Sequence, residues 1–241
     1  MVLQDLLDNL ATGEFANLSL ANSTVGSIKE EAYPRIIRAI NRSLLEIYKR
    51  FLLKEKKVYL VQQTGLYRYY LRTQYLGYSG ATTIQAYLLD HTDELFQEDV
   101  IRILNITDSD GLYVDINPPH PGIEQTYFRT PQFDTLDLTT TETENTFTVS
   151  YQAGYPKIVI TEEFDPETLK LYYPPFIEDA LCNHVASLLI KGKTTKASEG
   201  EGYASNTFAA KYEMACLKLV ELGLVEEVYF QNNRFERNGF I

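Results

Sequence analysis

Between Ile36 and Leu52 the large apolar residues return every three or four positions: Ile36, Ile37, Ile40, Leu44, Ile47, Tyr48, Phe51 and Leu52. That spacing predicts an α-helix with one buried face, because side chains three and four apart lie on the same side of a 3.6-residue turn. Arg35, Arg38, Arg42, Lys49 and Arg50 fall mostly off the stripe and give the helix a cationic flank. Upstream, Ser27-Ile28-Lys29-Glu30 has the spacing of a capping box, in which the serine oxygen and the glutamate satisfy the first free amides. Pro34 stands early, where it either marks the first turn or kinks the helix. A helix over about 30–54 would be near 37 Å long at about 1.5 Å per residue, a long element for this chain.

The pattern changes after Lys57. Val58, Leu60 and Gln62 alternate with Tyr59 and Val61, and Leu66 to Leu71 is aromatic and β-favouring, so two strands are expected. Thr92 to Glu98 reads as a short helix with Asp93 and Glu94 in its first turn. Val100 to Ile106 and Leu112 to Ile116 read as strands joined by Thr107-Asp108-Ser109-Asp110-Gly111, since Asp-Gly is a strong turn signal. Thr146 to Tyr151 alternates and Lys157 to Thr161 is β-branched, which predicts two further strands.

Helical spacing marks both ends of the chain. Leu3, Leu6, Leu7 and Leu10 share one face of a short helix over about 2–10, and 11–25 reads as a connection. Pro174-Pro175 opens a helix through Leu189, Lys191 to Tyr203 reads as a polar loop, and a last helix spans about Ala204 to Leu222 with Gly223 as its cap. The expected fold is therefore mixed α+β: a helical bundle from the two ends, a β-rich middle section and an extended C-terminal tail. The expected boundaries are 1–55 and 163–224 for the helical parts, 56–162 for the β-rich insertion and 225–241 for the tail.

Net charge is −11, which argues against tight unspecific binding to nucleic acid. The charge is uneven, because residues 29–57 hold nine Lys and Arg against four Asp and Glu. A basic helix in an acidic chain points to an acidic neighbour, such as another copy of itself, or else to a solvated face with a chance imbalance. The first residues lack the basic patch and apolar run of a secretory signal, and no run of ~20 apolar residues could span a membrane. A soluble protein made in a cytosol is expected.

Candidate chemistry is sparse. Lys191-Gly192-Lys193-Thr194-Thr195 has the end of a phosphate-binding loop, but Ser187 stands where that loop needs glycine, and Gly192 follows a helix instead of opening one. Asp108, Asp110 and Asp115 lack the remaining ligands of a calcium loop, and a turn fits their neighbours better. The acidic pairs Glu162-Glu163, Glu142/Glu144 and Glu226-Glu227 have no spacing that specifies an acid/base dyad. Cys182 and Cys216 read as buried thiols, and His91, His120 and His184 are scattered without ligand spacing. The run Tyr67, Tyr69, Tyr70, Tyr75, Tyr78 reads as sheet packing or a protein interface, since no dense basic groove accompanies it. No catalytic, cofactor-binding or metal-binding residue is assigned.

Three segments together resemble the head-to-tail adaptor, or connector, family of tailed bacteriophages. Tyr33-Pro34-Arg35-Ile36-Ile37 through Ile40-Asn41 and Ile47 to Lys54, followed by strand Val58 to Leu60, is similar to the family's N-terminal core. The Pro174-Pro175 helix with Val185-Ala186-Ser187 resembles its next helix, and Phe208 to Glu213 with Gly223-Leu224 resembles its last. About 100 residues are covered, as a pattern of helix type and order. The β-rich middle is larger than the insert such a protein would carry.

The resemblance implies a non-enzymatic virion protein of the neck, assembled in the bacterial host cytoplasm as a ring, typically of twelve copies. It would dock on the portal protein, receive the tail or the next neck protein, and continue the DNA channel without sequence-specific contact. Residues 225–241 would supply the portal grip through Tyr229, Phe230, Arg234, Phe235, Arg237, Phe240 and Ile241, a run too short for a core and suited to docking. Arg35, Arg38, Arg42, Lys49 and Arg50 would meet a neighbouring copy. Another neck or tail-completion (stopper) ring protein and a small non-enzymatic regulatory binding module are the other expectations.

Overall fold

The computed structural model describes residues 2–12, 28–77, 86–91, 94–119, 126–140, 145–162, 164–191 and 199–225. They form two compact units. One holds the described residues up to Phe51 and from Tyr155 onward, the other Leu52–Gly154.

The first unit carries four α-helices: α1 (Leu3–Thr12), α2 (Tyr33–Arg50), α3 (Glu178–Lys191) and α4 (Glu199–Glu221). In α1 the leucines at 3, 6, 7 and 10 are all buried, as their spacing requires. Its first free amides find carbonyls elsewhere, Leu3 at Leu169 (2.8 Å) and Gln4 at Pro166 (3.0 Å). In α2 the buried face is Ile36, Ile37, Ile40, Leu44 and Ile47, each worth roughly 1.5–3 kcal/mol of burial.

Helix α2 is 18 residues, about 27 Å, shorter than expected at both ends. Glu30–Ala32 forms a 3-10 turn instead, and Pro34 lies in the first turn of α2, where its missing N–H costs no internal bond. No side chain caps Ala32, and Ser27 of the expected capping box lies outside the described residues. Helix α2 packs on α3, and α3 on α4. After α4, Gly223 takes φ +66°, its amide bonds the Val220 carbonyl, and the Leu224 amide bonds the Leu219 carbonyl. This is the left-handed helix stop that glycine permits.

The second unit is built of eight strands: β1 (Glu55–Val61), β2 (Arg68–Tyr70), β3 (Leu88–Asp90), β4 (Val100–Thr107), β5 (Asp115–Ile116), β6 (Tyr127–Gln132), β7 (Thr135–Leu138) and β8 (Thr146–Ala153). One antiparallel sheet has the order β3-β1-β8-β4 and the other β2-β7-β6-β5, with only β5 and β6 parallel. Alternation puts Val58 and Leu60 of β1 and Phe147, Val149 and Tyr151 of β8 into one core with Phe128, Leu136 and Leu138 of the other sheet. Phe128 meets Phe147 edge to face with ring centres 5.0 Å apart.

The expectation of a helical bundle built from both chain ends is overturned. Among the described residues the chain is mixed α/β, with four α-helices, two four-stranded sheets and a β-rich middle section. Helix α1 has only ten residues, and the helices share their unit with irregular runs over 155–162 and 164–174. The expected extended tail lies outside the described residues apart from Val225.

Local expectations also change. Lys157 to Thr161 is no strand, because the Ile158 backbone bonds the Asn41 side chain instead of a neighbouring strand. Thr92 and Asp93 lie outside the described residues, and Glu94 to Glu98 is not helical. There the Phe96 amide bonds the Asp90 carboxylate at 2.8 Å, and Glu98 takes φ +55°. Residues 199–203, expected in a polar loop over 191–203, belong to α4, and 192–198 lie outside the described residues.

Candidate functional site

The outer flank of α2 is the first surface of interest. Arg38, Arg42, Leu45 and Lys49 stand at i, i+4, i+7 and i+11, so they form one stripe; the first three are exposed and Lys49 is half-exposed. Arg38 bonds only back to the Pro34 carbonyl (3.1 Å), and Lys49 pairs with Glu46 on its own helix (3.3 Å). The other two cations of the expected contact set turn toward neighbouring helices. Arg35 donates to the Leu189 carbonyl (2.7 Å) near the end of α3, where free carbonyls carry the negative end of the helix dipole. Arg50 pairs with Glu213 of α4 at 2.6 Å. The five residues thus divide between fastening α2 in place and facing outward.

The second surface is a shallow groove of about 430 Å³ between the run 159–165 and the run 168–172. Val159, Phe164, Leu169 and Tyr172 give it apolar walls, with Asp165 and Lys170 among its polar lining. Val159 is 62% exposed and Tyr172 79%, and Ile160 beside them is also exposed, so the patch is open to solvent. It is held in place by Asn41 on Ile158 and by the Tyr155 hydroxyl, which accepts from the Tyr172 amide at 3.1 Å. Phe164 packs edge-on against Tyr33 of α2 at 6.0 Å. Burial holds the Tyr33 phenol above its usual value, and the charges of Glu30, Asp8 and Glu167 raise it further. Exposed Glu162, Asp165 and Glu167 flank the groove, with Lys170 in its lining.

Sequence reasoning missed this groove, because Lys157 to Thr161 reads as one more strand. The available signal was that Val159 and Ile160 follow Ile158 without a polar alternation. A third apolar feature lies on α4, where exposed Met214 and Leu217 are three residues apart.

The remaining sequence candidates disperse. All seven proposed docking residues, Tyr229, Phe230, Arg234, Phe235, Arg237, Phe240 and Ile241, lie outside the described residues. So do Gly192 to Thr195, His120, Tyr78, Glu142, Glu144, Glu163, Glu226 and Glu227. Ser187 sits inside α3 and bonds the His184 carbonyl. Asp108 organises the expected turn: its carboxylate accepts from the amides of Asp110 and Leu112, both at 2.9 Å, and Gly111 takes φ +80°. The hairpin ends at once, because β5 leaves β4 to pair in parallel with β6.

The tyrosine run packs on itself. Tyr75 stacks on Tyr87 (4.7 Å) and Tyr70 (6.0 Å), while Arg68 and Arg72 pair with Asp137 and Asp134. His184 stacks on Tyr212 at 4.5 Å and His91 lies tilted against Tyr59 at 5.0 Å, while Cys182 and Cys216 are buried and form no disulfide. Among the described residues, no three His, Cys, Asp or Glu gather as a metal site, and no helix is long and apolar enough to cross a membrane. No family model matches the chain, and no curated protein matches its sequence.

Proposed function

We propose that this chain is a structural subunit of a tailed bacteriophage neck, the head-to-tail adaptor that joins portal to tail as a ring and continues the DNA channel. The observation that carries the reading is the surface of the helical unit, which exposes an apolar groove beside a negative flank and a cationic stripe on α2. Contiguous apolar surface of this kind is a property of chains that bury it against partners. The role is architectural, and no residue is assigned catalysis. The test is to mix the purified chain with the portal protein of the same genome and follow sedimentation. A discrete ring-sized complex that is lost on removal of 225–241 supports the adaptor role, and a chain that stays monomeric and ignores the portal overturns it.

A stopper or tail-completion ring protein is the second reading. It is favoured by the size of the sheet unit, 52–154, whose two sheets have their own core. Binding to purified tails but not to portal would select it.

A further inference from the structure

We infer that the cationic stripe of α2 on one copy seats against the acid-flanked groove of a second copy, and that this is the contact that repeats between subunits. The inference rests on the proposed ring and names the surface that closes it. Both halves are read from one unit of the fold. The stripe presents an exposed apolar knob, Leu45, with Arg38 and Arg42 toward one end and Lys49 toward the other. The groove presents apolar walls, Val159, Phe164 and Tyr172, with Asp165 and Lys170 in its lining and exposed Glu162 and Glu167 next to it in the chain, three carboxylates against one cation. Knob matches groove in polarity, and cations match acids in sign.

The complementarity is specific to a partner of this chain's own kind. A nucleic acid would meet the cations of the stripe and be repelled by the acids of the groove, whereas a second copy satisfies both at once. The net charge of −11 supplies a general repulsion between copies, which a local basic stripe offsets only where it is brought against acids. Among the described residues neither Arg38 nor Arg42 is paired with a carboxylate, so docking breaks no ion pair there. Stripe and groove met once per pair of copies make a heterologous contact, which the proposed ring requires: each copy offers both halves, and the assembly closes as a ring when the rotation permits.

A charge exchange tests this on the full chain by native mass spectrometry, alone and with portal. One variant carries R38E and R42E, the other D165K and E167K, and circular dichroism with urea unfolding verifies that both fold. The wild type is expected to assemble, with an association that weakens as salt rises. Each variant is expected to associate at least tenfold more weakly, and an equal mixture to recover mixed oligomers, since the two exchanged halves suit each other and so do the two unchanged halves. Folded variants that assemble as the wild type does, or a mixture that stays monomeric, overturn the surface while leaving the ring intact. A wild type that never associates, even on portal, overturns the ring and the surface together. If a folded variant is lost to aggregation, the single changes Arg42→Glu and Asp165→Lys are mixed in its place and read by the same two outcomes.

Discussion

The carboxamide of Asn41 completes both backbone polar groups of Ile158: Nδ2 donates to the carbonyl at 2.8 Å, and the Ile158 amide donates to Oδ1 at 2.8 Å. One side chain on a helix thus stands in for a neighbouring strand and holds the wall of the groove. Ile158 is buried, so losing the amide leaves two groups with no protein partner. Asn41→Ala is expected to cost about 2 kcal/mol by urea unfolding, and Asn41→Asp no less, because a carboxylate oxygen would then face the Ile158 carbonyl. A loss below about 0.5 kcal/mol for Asn41→Ala would contradict the bridging role.

Lys56 lies on the core face of β1 with its ammonium 2.7 Å from Asp99, the two side chains only 4% and 10% exposed. The Tyr151 hydroxyl donates to the same carboxylate at 3.2 Å, and Glu94 stands 3.7 Å from the ammonium. Removing one member strands a charge in a site that water barely reaches. Lys56→Met is expected to destabilise the sheet unit by about 3–5 kcal/mol. Adding Asp99→Asn should recover part of that loss, and a double-mutant cycle in urea measures the coupling. Strict additivity of the two changes would rule out the pair as a unit.

Burial is the largest cause raising the phenols of Tyr48, Tyr87, Tyr151, Tyr173 and Tyr212, with Tyr48 pushed up to about 12. Each folded value lies above the unfolded value near 10, so the folded state holds these protons more tightly. Their contribution is fully present below pH ~10 and is lost as pH rises through the folded values. These five buried tyrosines should ionise only with unfolding, as an absorbance step that coincides with loss of the fold. A single smooth absorbance titration near pH 10, with the fold intact, would be the opposite result.

The Asp108 turn is a local test with a smaller scale. Gly111→Ala puts a side chain at φ +80°, and Asp108→Ala removes the acceptor for two amides. Each should cost about 1 kcal/mol, and Asp108→Asn should cost less because a side-chain acceptor remains. Thermal unfolding of the three variants ranks them.

Elements with their own period were legible in the sequence. The apolar stripe of α2, the leucines of α1, the alternation of β1, β4 and β8, and the Gly223 stop all depend on neighbours close in the chain. Elements that depend on distant partners were not. Strand β6 contains Pro131, which cannot donate to a ladder, and its pairing with β7 shifts register between Arg129 and Gln132. Beside that shift the Thr130 amide donates to the Asn117 side chain, 13 residues away. Likewise Lys157 to Thr161 has strand composition, and only the position of Asn41 on α2 decides that it pairs with a side chain. The groove followed the same logic, since exposure of Val159 and Tyr172 is a property of the assembled unit. The charge surplus of the α2 region was visible from the start, but not which of its cations face inward, as Arg35 and Arg50 do.

The most direct test of the account is to disrupt the gene for this chain in the genome that encodes it and examine the lysate by electron microscopy. With the proposed neck role, heads and finished tails should accumulate separately, with joining restored when the full chain is supplied in trans. Intact tailed particles assembled in normal number without it would contradict the claim that it joins head to tail.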